Sequence, residues 1–209
     1  MIKIFNTIIV HFDEIGLKGK NQIFFVRKLQ QDIEKRLITE VEIGAKKLIV
    51  SWPKDYSWPE IKEKLKFVPG IAFFAPAIIV KSKLKDIEEK AKELICFYQP
   101  KTFRCSARRA DKDFVMDSMT LSRHLGEIIL AENPKLNVSM KNAELEIRVE
   151  VDKDKTAILG KAERGIGGLP VGSTGEVLCL LSGGFDSPVA AYMMMKRGAH
   201  VNFIHFHNA

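Results

Sequence analysis

The sequence predicts an α+β protein: two small mixed domains in succession, then the opening βαβ unit of a third, parallel-sheet α/β domain. Three observations lead there. The first 75 residues alternate strand-like and helix-like runs. Arg164 to Gly175, RGIGGLPVGSTG, then interrupts the pattern with five glycines and one proline in 12 residues. After it, Val177 to Leu181 is continuously apolar, the pattern of a strand buried on both faces of a parallel sheet.

The first domain is assigned to residues 1–80. Thr7 to Phe12 is apolar and β-branched, and GLKGK follows as a loop. From Asn21 as a cap, Phe25, Leu29, Ile33 and Leu37 recur every four residues and place one apolar stripe on a helix. Lys47 to Trp52 reads as a second strand and Trp58 to Phe67 as a short helix. Ile71 to Val80 is a third strand, entered through the Pro69-Gly70 turn. The order is βαβαβ, a ferredoxin-like plan.

The second domain is assigned to 81–164. Ile87, Ala91, Leu94, Ile95 and Tyr98 mark an amphipathic helix that ends before Pro100. A basic strand, TFRCSARR, comes next. A helix capped near Asp117 or Ser118 carries Leu121, Leu125, Ile128 and Ile129 inward and stops before Asn133-Pro134. Leu136 to Met140 is strand-like. Leu145, Ile147, Val149 and Val151 alternate with charged residues, DKDK turns the chain, and Thr156 to Ala162 returns, giving a hairpin with one buried face.

Residues 165–175 read as a flexible linker, because so many glycines resist a regular element. The third domain, 176–209, runs strand, SGGFDS loop, helix from Pro188 to Arg197 ended by Gly198, and strand His200 to Phe206.

Bulk properties narrow the function. The net charge of +7 and pI near 9.2 favour a polyanionic partner such as nucleic acid. The richest apolar run, Ile71 to Val80, is broken by Pro76 and falls short of the roughly 20 residues that span a bilayer. The start lacks the long apolar core of a signal peptide, so a soluble, cytoplasmic protein is expected. Cys96, Cys105 and Cys179 have neither zinc nor disulfide spacing and read as apolar filler. Among His11, His124, His200, His205 and His207 only the last two are close, and strand alternation explains them without a metal.

The loop carries the chemistry. Gly183 and Gly184 directly after a strand let backbone N–H groups approach an anion with no Cβ in the way. Ser187 as cap and Pro188 at the first helical position would aim free N–H groups and the positive dipole end at the same point. Ser182 and Ser187 add hydroxyls. Asp186 would repel a bare phosphate, and a bridging Mg²⁺ reverses that sign. Ligands of open α/β sheets lie at the carboxyl ends of strands, which places Leu180 and Leu181 on one side of a nucleoside and His205 and Phe206 on the other. A strand–Gly-Gly–helix turn without ligand is the plain alternative.

In the basic segment, Lys101, Arg104, Arg108, Arg109 and Lys112 lie within 12 residues, and alternation puts Arg104 and Arg108 on one face. Arginines so arranged suit phosphate oxygens and RNA shape. Lys18 and Lys20, beside Gly16 and Gly19, would extend the basic surface or be ordinary loop lysines. A solvated edge strand that only discourages aggregation is the alternative.

Three motifs then agree. SGGFDS resembles the SGGxDS signature of PP-loop ATP pyrophosphatases (adenine nucleotide alpha hydrolase-like) and not a Walker loop, which needs GK[ST]. KTFRCSARRADKDF resembles the core of the THUMP RNA-binding domain. GLKGKNQIFF and GIGGLPVGSTGEVLCLLSGGFDSPVAAYMMMKRG resemble the N-terminal ferredoxin-like domain and the linker with loop of tRNA 4-thiouridine synthetases, also called thiamine biosynthesis sulfurtransferases. The resemblance runs from about Val10 to the last residue.

The resemblance implies adenylation of the uridine at tRNA position eight with ATP and Mg²⁺, then displacement of AMP by persulfide sulfur to give 4-thiouridine. It implies that Ser182, Gly183, Gly184, Asp186 and Ser187 hold the ATP phosphates, with Leu180, Leu181, His205 and Phe206 bordering the adenosine. Lys101, Arg104, Arg108, Arg109, Lys112, Lys18 and Lys20 would meet tRNA. It further implies a persulfide donor such as a cysteine desulfurase, a homodimer, and a role in thiazole and thiamine synthesis. The family's sulfur-carrying cysteine and remaining pyrophosphatase strands are expected beyond Ala209, so a C-terminally truncated chain is expected, inactive by itself. The competing readings are a stand-alone tRNA-binding module with a vestigial loop and a THUMP-bearing methyltransferase, the latter disfavoured by SGGFDS where a methyl-donor loop would stand.

Overall fold

A computed structural model of the chain describes residues 4–206. The first run of elements is β1 (Thr7–His11), α1 (Gln22–Leu37), β2 (Val41–Gly44), β3 (Lys47–Ser51), α2 (Trp58–Leu65) and β4 (Phe73–Lys81). The βαβαβ order is therefore corrected to βαββαβ, the full ferredoxin-like plan. The added strand β2 pairs antiparallel with β3, from Val41 opposite Val50 to Gly44 opposite Lys47. Only Val41 of β2 is buried, so VEIG carries almost no apolar alternation to reveal it. Phe25, Val26, Leu29, Ile33 and Leu37 are the buried stripe of α1, as the four-residue spacing requires.

The second run is α3 (Leu84–Tyr98), β5 (Thr102–Arg109), α4 (Ser118–Glu132), β6 (Asn137–Val138), β7 (Leu145–Val151) and β8 (Lys155–Leu159). Asp117 caps α4, accepting from the Met119 and Thr120 N–H groups at 2.8 and 2.9 Å. Of the four residues predicted to face inward, Leu121, Leu125 and Ile129 are buried and Ile128 is half-buried. β7 runs parallel to β5 and antiparallel to β8. Phe103, Leu145, Ile147, Val149 and Ile158 are buried, and Arg104, Ser106, Glu146 and Arg148 occupy the alternate positions. Strand neighbours follow the order β2-β3-β1-β4-β8-β7-β5-β6.

Two compact units emerge, one of the residues up to Ile9 with Ala75–Ala162, the other of Val10–Phe74 with the residues from Glu163 onward. In the second unit, β9 (Glu163–Arg164) pairs with Phe73 and Phe74 of β4. β10 (Glu176–Leu180), α5 (Asp186–Lys196) and β11 (His200–Ile204) follow, with β10 and β11 parallel in a separate sheet of two strands. β10 was expected to be buried on both faces. Instead Leu178 and Leu180 are 68% and 58% exposed, while Val177 and Cys179 on the other face are half-buried.

The glycine-rich segment is not a loose tether. Gly165 N–H donates to Ala72, Gly167 N–H to Ile71, and Gly70 N–H to Gly167. Leu169 N–H donates to Lys196, and Ser173 N–H to Gly198. Gly168, Leu169 and Pro170 are buried. A Cβ on Gly165 would stand 2.2 Å from the Ile71 carbonyl oxygen, and one on Gly168, at φ +82, equally close to that of Lys196 at 2.2 Å. These glycines serve close backbone approach, not freedom. Arg197 pairs with Glu14 at 2.7 Å and Lys62 with Glu163 at 3.3 Å in the same unit.

Candidate functional site

Leu181 to Phe185 connect β10 to α5 at the carboxyl end of the strand. The Ser187 hydroxyl accepts from the Ser182 N–H at 3.1 Å and lies 3.1 Å from the Ser182 hydroxyl, which accepts from Gly184 N–H at 3.3 Å. The two serines thus staple the loop shut from inside. This corrects the capping assignment. Phe185 is the cap residue, Asp186 opens the helix, and Pro188 is its third residue. The first turn leaves N–H groups without intrahelical partners, and proline there lacks one.

Neither Gly183 nor Gly184 has positive φ. A Cβ would meet nothing within 4 Å at Gly183 and only the Ser182 hydroxyl, at 3.6 Å, at Gly184. Neither backbone conformation nor the chain's own packing asks for glycine. What the two glycines keep clear is the exposed space above the loop, beside the α5 N-terminus, which suits a phosphate group. Asp186 is an exposed carboxylate on the same turn. Among the described residues no group of three or more His, Cys, Asp or Glu could hold a metal alone. A divalent cation there would need ligand oxygens as well.

Leu180 ends β10, and Leu181, just beyond it, donates its N–H to Ile204 at 2.8 Å. His205 and Phe206 lie past β11 rather than on it. His205 Nδ1 sits 2.8 Å from the Leu181 carbonyl oxygen. The two strand ends are thereby held side by side, with Phe206 74% exposed.

On β5, Arg104 is engaged. Its Nη1 donates to the Met140 carbonyl and its Nη2 to Glu146 Oε2, both at 2.8 Å. Arg109 Nη1 donates to the carbonyls of Lys112 and Phe114, at 2.8 and 3.4 Å, and shapes the loop after the strand. Lys101, Arg108 and Lys112 are exposed. Lys20 is exposed, and Lys18 lies 5.1 Å over the Phe25 ring. Lys18 and Lys20 belong to the second unit and the β5 cations to the first.

Sequence reasoning missed Glu146, Arg148 and Ser106. Glu146 accepts from Arg104, from Ser106 at 2.7 Å and from Arg148 at 3.2 Å. Burial pushes its carboxyl up, but the donors from Arg104 and Ser106 and the charge of Arg148 outweigh that and hold it below the ordinary glutamate range. The period of two would have put Glu146 and Arg148 on one face. Their register against β5 was not legible.

Three family profiles match in succession: the ThiI ferredoxin-like domain over residues 7–75, the THUMP domain over 81–159, and thiamine biosynthesis protein (ThiI) over 172–209. The chain belongs to the ThiI family. It is 40% identical over 202 residues to a probable tRNA sulfurtransferase of Mycoplasmopsis synoviae (strain 53), covering 97% of this chain and 52% of that protein. The probable tRNA sulfurtransferase of Brevibacillus brevis is 37% identical over 210 residues, covering 98% and 52%. This ThiI-family chain thus spans about half the length of the curated relatives it matches.

Its structure matches the crystal structure of a 4-thiouridine synthetase–RNA complex with bound ATP, with TM-score 0.84, 29% identity, and 97% and 53% of the two chains covered. A protein of Pyrococcus horikoshii Ot3 gives TM-score 0.83 at 28% identity, covering 96% and 69%. TrmN from Thermus thermophilus, at TM-score 0.59 and 16% identity, shares fold only.

Of the other reactive side chains of this ThiI-family chain, Cys105, Cys179 and His124 are engaged in the fold and Cys96 is exposed. Burial raises the Cys105 thiol to about 12. Cys179 Sγ lies 3.7 Å from the Ser187 carbonyl under the loop, and Cys96 is exposed on α3. His124 bonds Glu88 at 2.6 Å between α4 and α3, and His207 lies outside the described residues. No helix of the described residues is long and apolar enough to cross a membrane.

Proposed function

We propose that the protein is an ATP-dependent tRNA sulfurtransferase that makes 4-thiouridine at tRNA position eight, and that this chain handles tRNA and starts the ATP site. The observation that carries the reading is the serine-stapled loop, whose two glycines meet no packing or backbone need within the chain. It stands in one polypeptide with a basic THUMP strand.

In this reading Ser182, Gly183, Gly184 and Ser187 hold the ATP phosphates through N–H and hydroxyl groups, and Asp186 faces a phosphate-bound Mg²⁺. Leu180, Leu181, His205 and Phe206 border the adenosine. Bound ATP supplies an adenylate leaving group on the uridine carbonyl oxygen. Lys101, Arg104, Arg108, Arg109 and Lys112 bind RNA phosphates, and Lys18 and Lys20 add contacts. The sulfur comes from a persulfide donor such as a cysteine desulfurase, the protein is cytoplasmic and works as a homodimer, and the same chemistry links it to thiamine synthesis. The division at 80, 164 and 175 separates ferredoxin-like, THUMP, connecting and pyrophosphatase parts.

The test is thiolation of tRNA with ATP, Mg²⁺ and a persulfide donor, using the full-length protein. Substituting Ser187→Ala and Asp186→Asn should each abolish pyrophosphate release while leaving tRNA affinity within about twofold, since phosphate-cradle and RNA contacts are separate. Tight tRNA binding with no nucleotide turnover in the unsubstituted protein would instead establish a binding module.

A further inference from the structure

We propose that Glu146 is a positioning residue for RNA binding: its carboxylate presets Arg104, with Arg148 beside it, as a phosphate seat on the exposed face of β5 and β7. The inference rests on the RNA-binding reading above.

A carboxylate in a polyanion-binding surface looks counterproductive. Its geometry says otherwise. Glu146 stands directly opposite Arg104 in the β5–β7 register, and Arg148 stands opposite Ser106. Oε1 takes the Ser106 hydroxyl at 2.7 Å, which fixes the carboxylate plane. Oε2 takes Arg104 Nη2 at 2.8 Å and Arg148 Nη2 at 3.2 Å. One negative charge thus gathers two guanidinium groups, and the cluster stays cationic.

Arg104 is held a second time by the Met140 carbonyl at 2.8 Å. A guanidinium has five N–H donors, so three of Arg104 remain beyond these two bonds. Its side chain is 35% exposed. An arginine anchored through both Nη atoms has lost its rotamer freedom on folding and does not lose it again on binding RNA. Beside Glu146 lies a cavity of about 200 Å³ whose charged lining residues are Glu144, Glu146, Arg148 and Lys161. Those charges balance, so the cationic seat is the Arg104–Arg148 pair itself and not the cavity. In a half-buried ion pair desolvation offsets much of the attraction, so what the cluster contributes is geometry.

The sign of the mutational effect decides. Glu146→Gln removes a negative charge from the surface, and a mere counter-charge role predicts tighter tRNA binding. Positioning predicts the reverse, a weakening of about threefold to tenfold, with a shallower dependence of log K on log salt because Arg104 no longer meets its phosphate. Glu146→Asp keeps the charge but shortens the reach, and should weaken binding as well. In an Arg104→Ala background Glu146→Gln should produce no further loss.

Measurements use the chain with tRNA across a salt series, and melting curves confirm folding. Should Glu146→Gln fail to fold, Glu146→Asp carries the decision: unchanged affinity overturns the proposal. Equal or tighter binding by folded Glu146→Gln overturns it too. If the unsubstituted chain shows no salt-dependent tRNA binding, the RNA reading itself falls. If it binds, and Arg108→Ala weakens binding while Glu146→Gln does not, only the role of Glu146 is lost.

Discussion

Cys105 and Asp117 show how single side chains in the THUMP region are tuned by their surroundings. The half-buried Cys105 thiol, raised to about 12 by desolvation, is protonated at neutral pH and should react with iodoacetamide far more slowly than in the unfolded protein. Exposed Cys96 should react at once, and peptide mass spectrometry distinguishes the two. The Asp117 carboxylate is held below its ordinary range by the Thr120 N–H, then the Thr120 hydroxyl and the Met119 N–H, with Arg109 adding a weaker pull. A depressed folded value means that its contribution is present above the ordinary carboxylate range and lost as pH falls through the folded value. Asp117→Ala should therefore lower the melting temperature at neutral pH, and the difference from the unsubstituted chain should shrink in acid. Equal deficits at pH 7 and at low pH would contradict the capping role.

At the scale of elements, the two sets of glycines make opposite predictions. Gly165→Ala drives a Cβ to 2.2 Å from the Ile71 carbonyl oxygen, where backbone must move. It should destabilise by about 1–3 kcal/mol in chemical denaturation, as overpacking does. Gly183→Ala meets nothing within 4 Å and has an ordinary φ, so stability should hold within about 0.5 kcal/mol. Its loss should appear only in ATP affinity, measured by calorimetry on the full-length protein. If Gly183→Ala bound ATP normally, the open space above the loop would have no ligand to explain it.

The contrast also shows where sequence reading stops. Stripes such as Phe25, Leu29, Ile33 and Leu37 were legible because helical period and burial coincide. SGGFDS was legible as a string, and its serine staple was not, since it depends on loop geometry. β2 escaped because a strand with one buried residue has no pattern to show. The connecting segment was misread because composition cannot distinguish glycine used for freedom from glycine used for contact. Glu146 lies 42 residues from Arg104, and only strand register brings them together.

For the molecule as a whole, the +7 net charge implies that the proposed tRNA binding falls steeply with ionic strength. Replacing exposed Arg108 with Ala should reduce the slope of log K against log salt by about one. The same slope in both proteins would remove Arg108 from the interface. The second unit joins the last turn of the ferredoxin-like run to α5 through Gly165, Gly167, Gly168 and Leu169, each fixed by its own backbone contact. Four of the five residues from Gly165 to Leu169 have an assigned contact, so the length of the stretch is itself specified. Inserting one amino acid between Arg164 and Leu169 would shift each contact onto the wrong neighbour, whereas one added at the Ala45-Lys46 turn between β2 and β3 would only lengthen a surface loop. In a library of single-residue insertions, the first site should be depleted of folded variants and the second populated, and natural length variation should accumulate at the turn and not at the glycines.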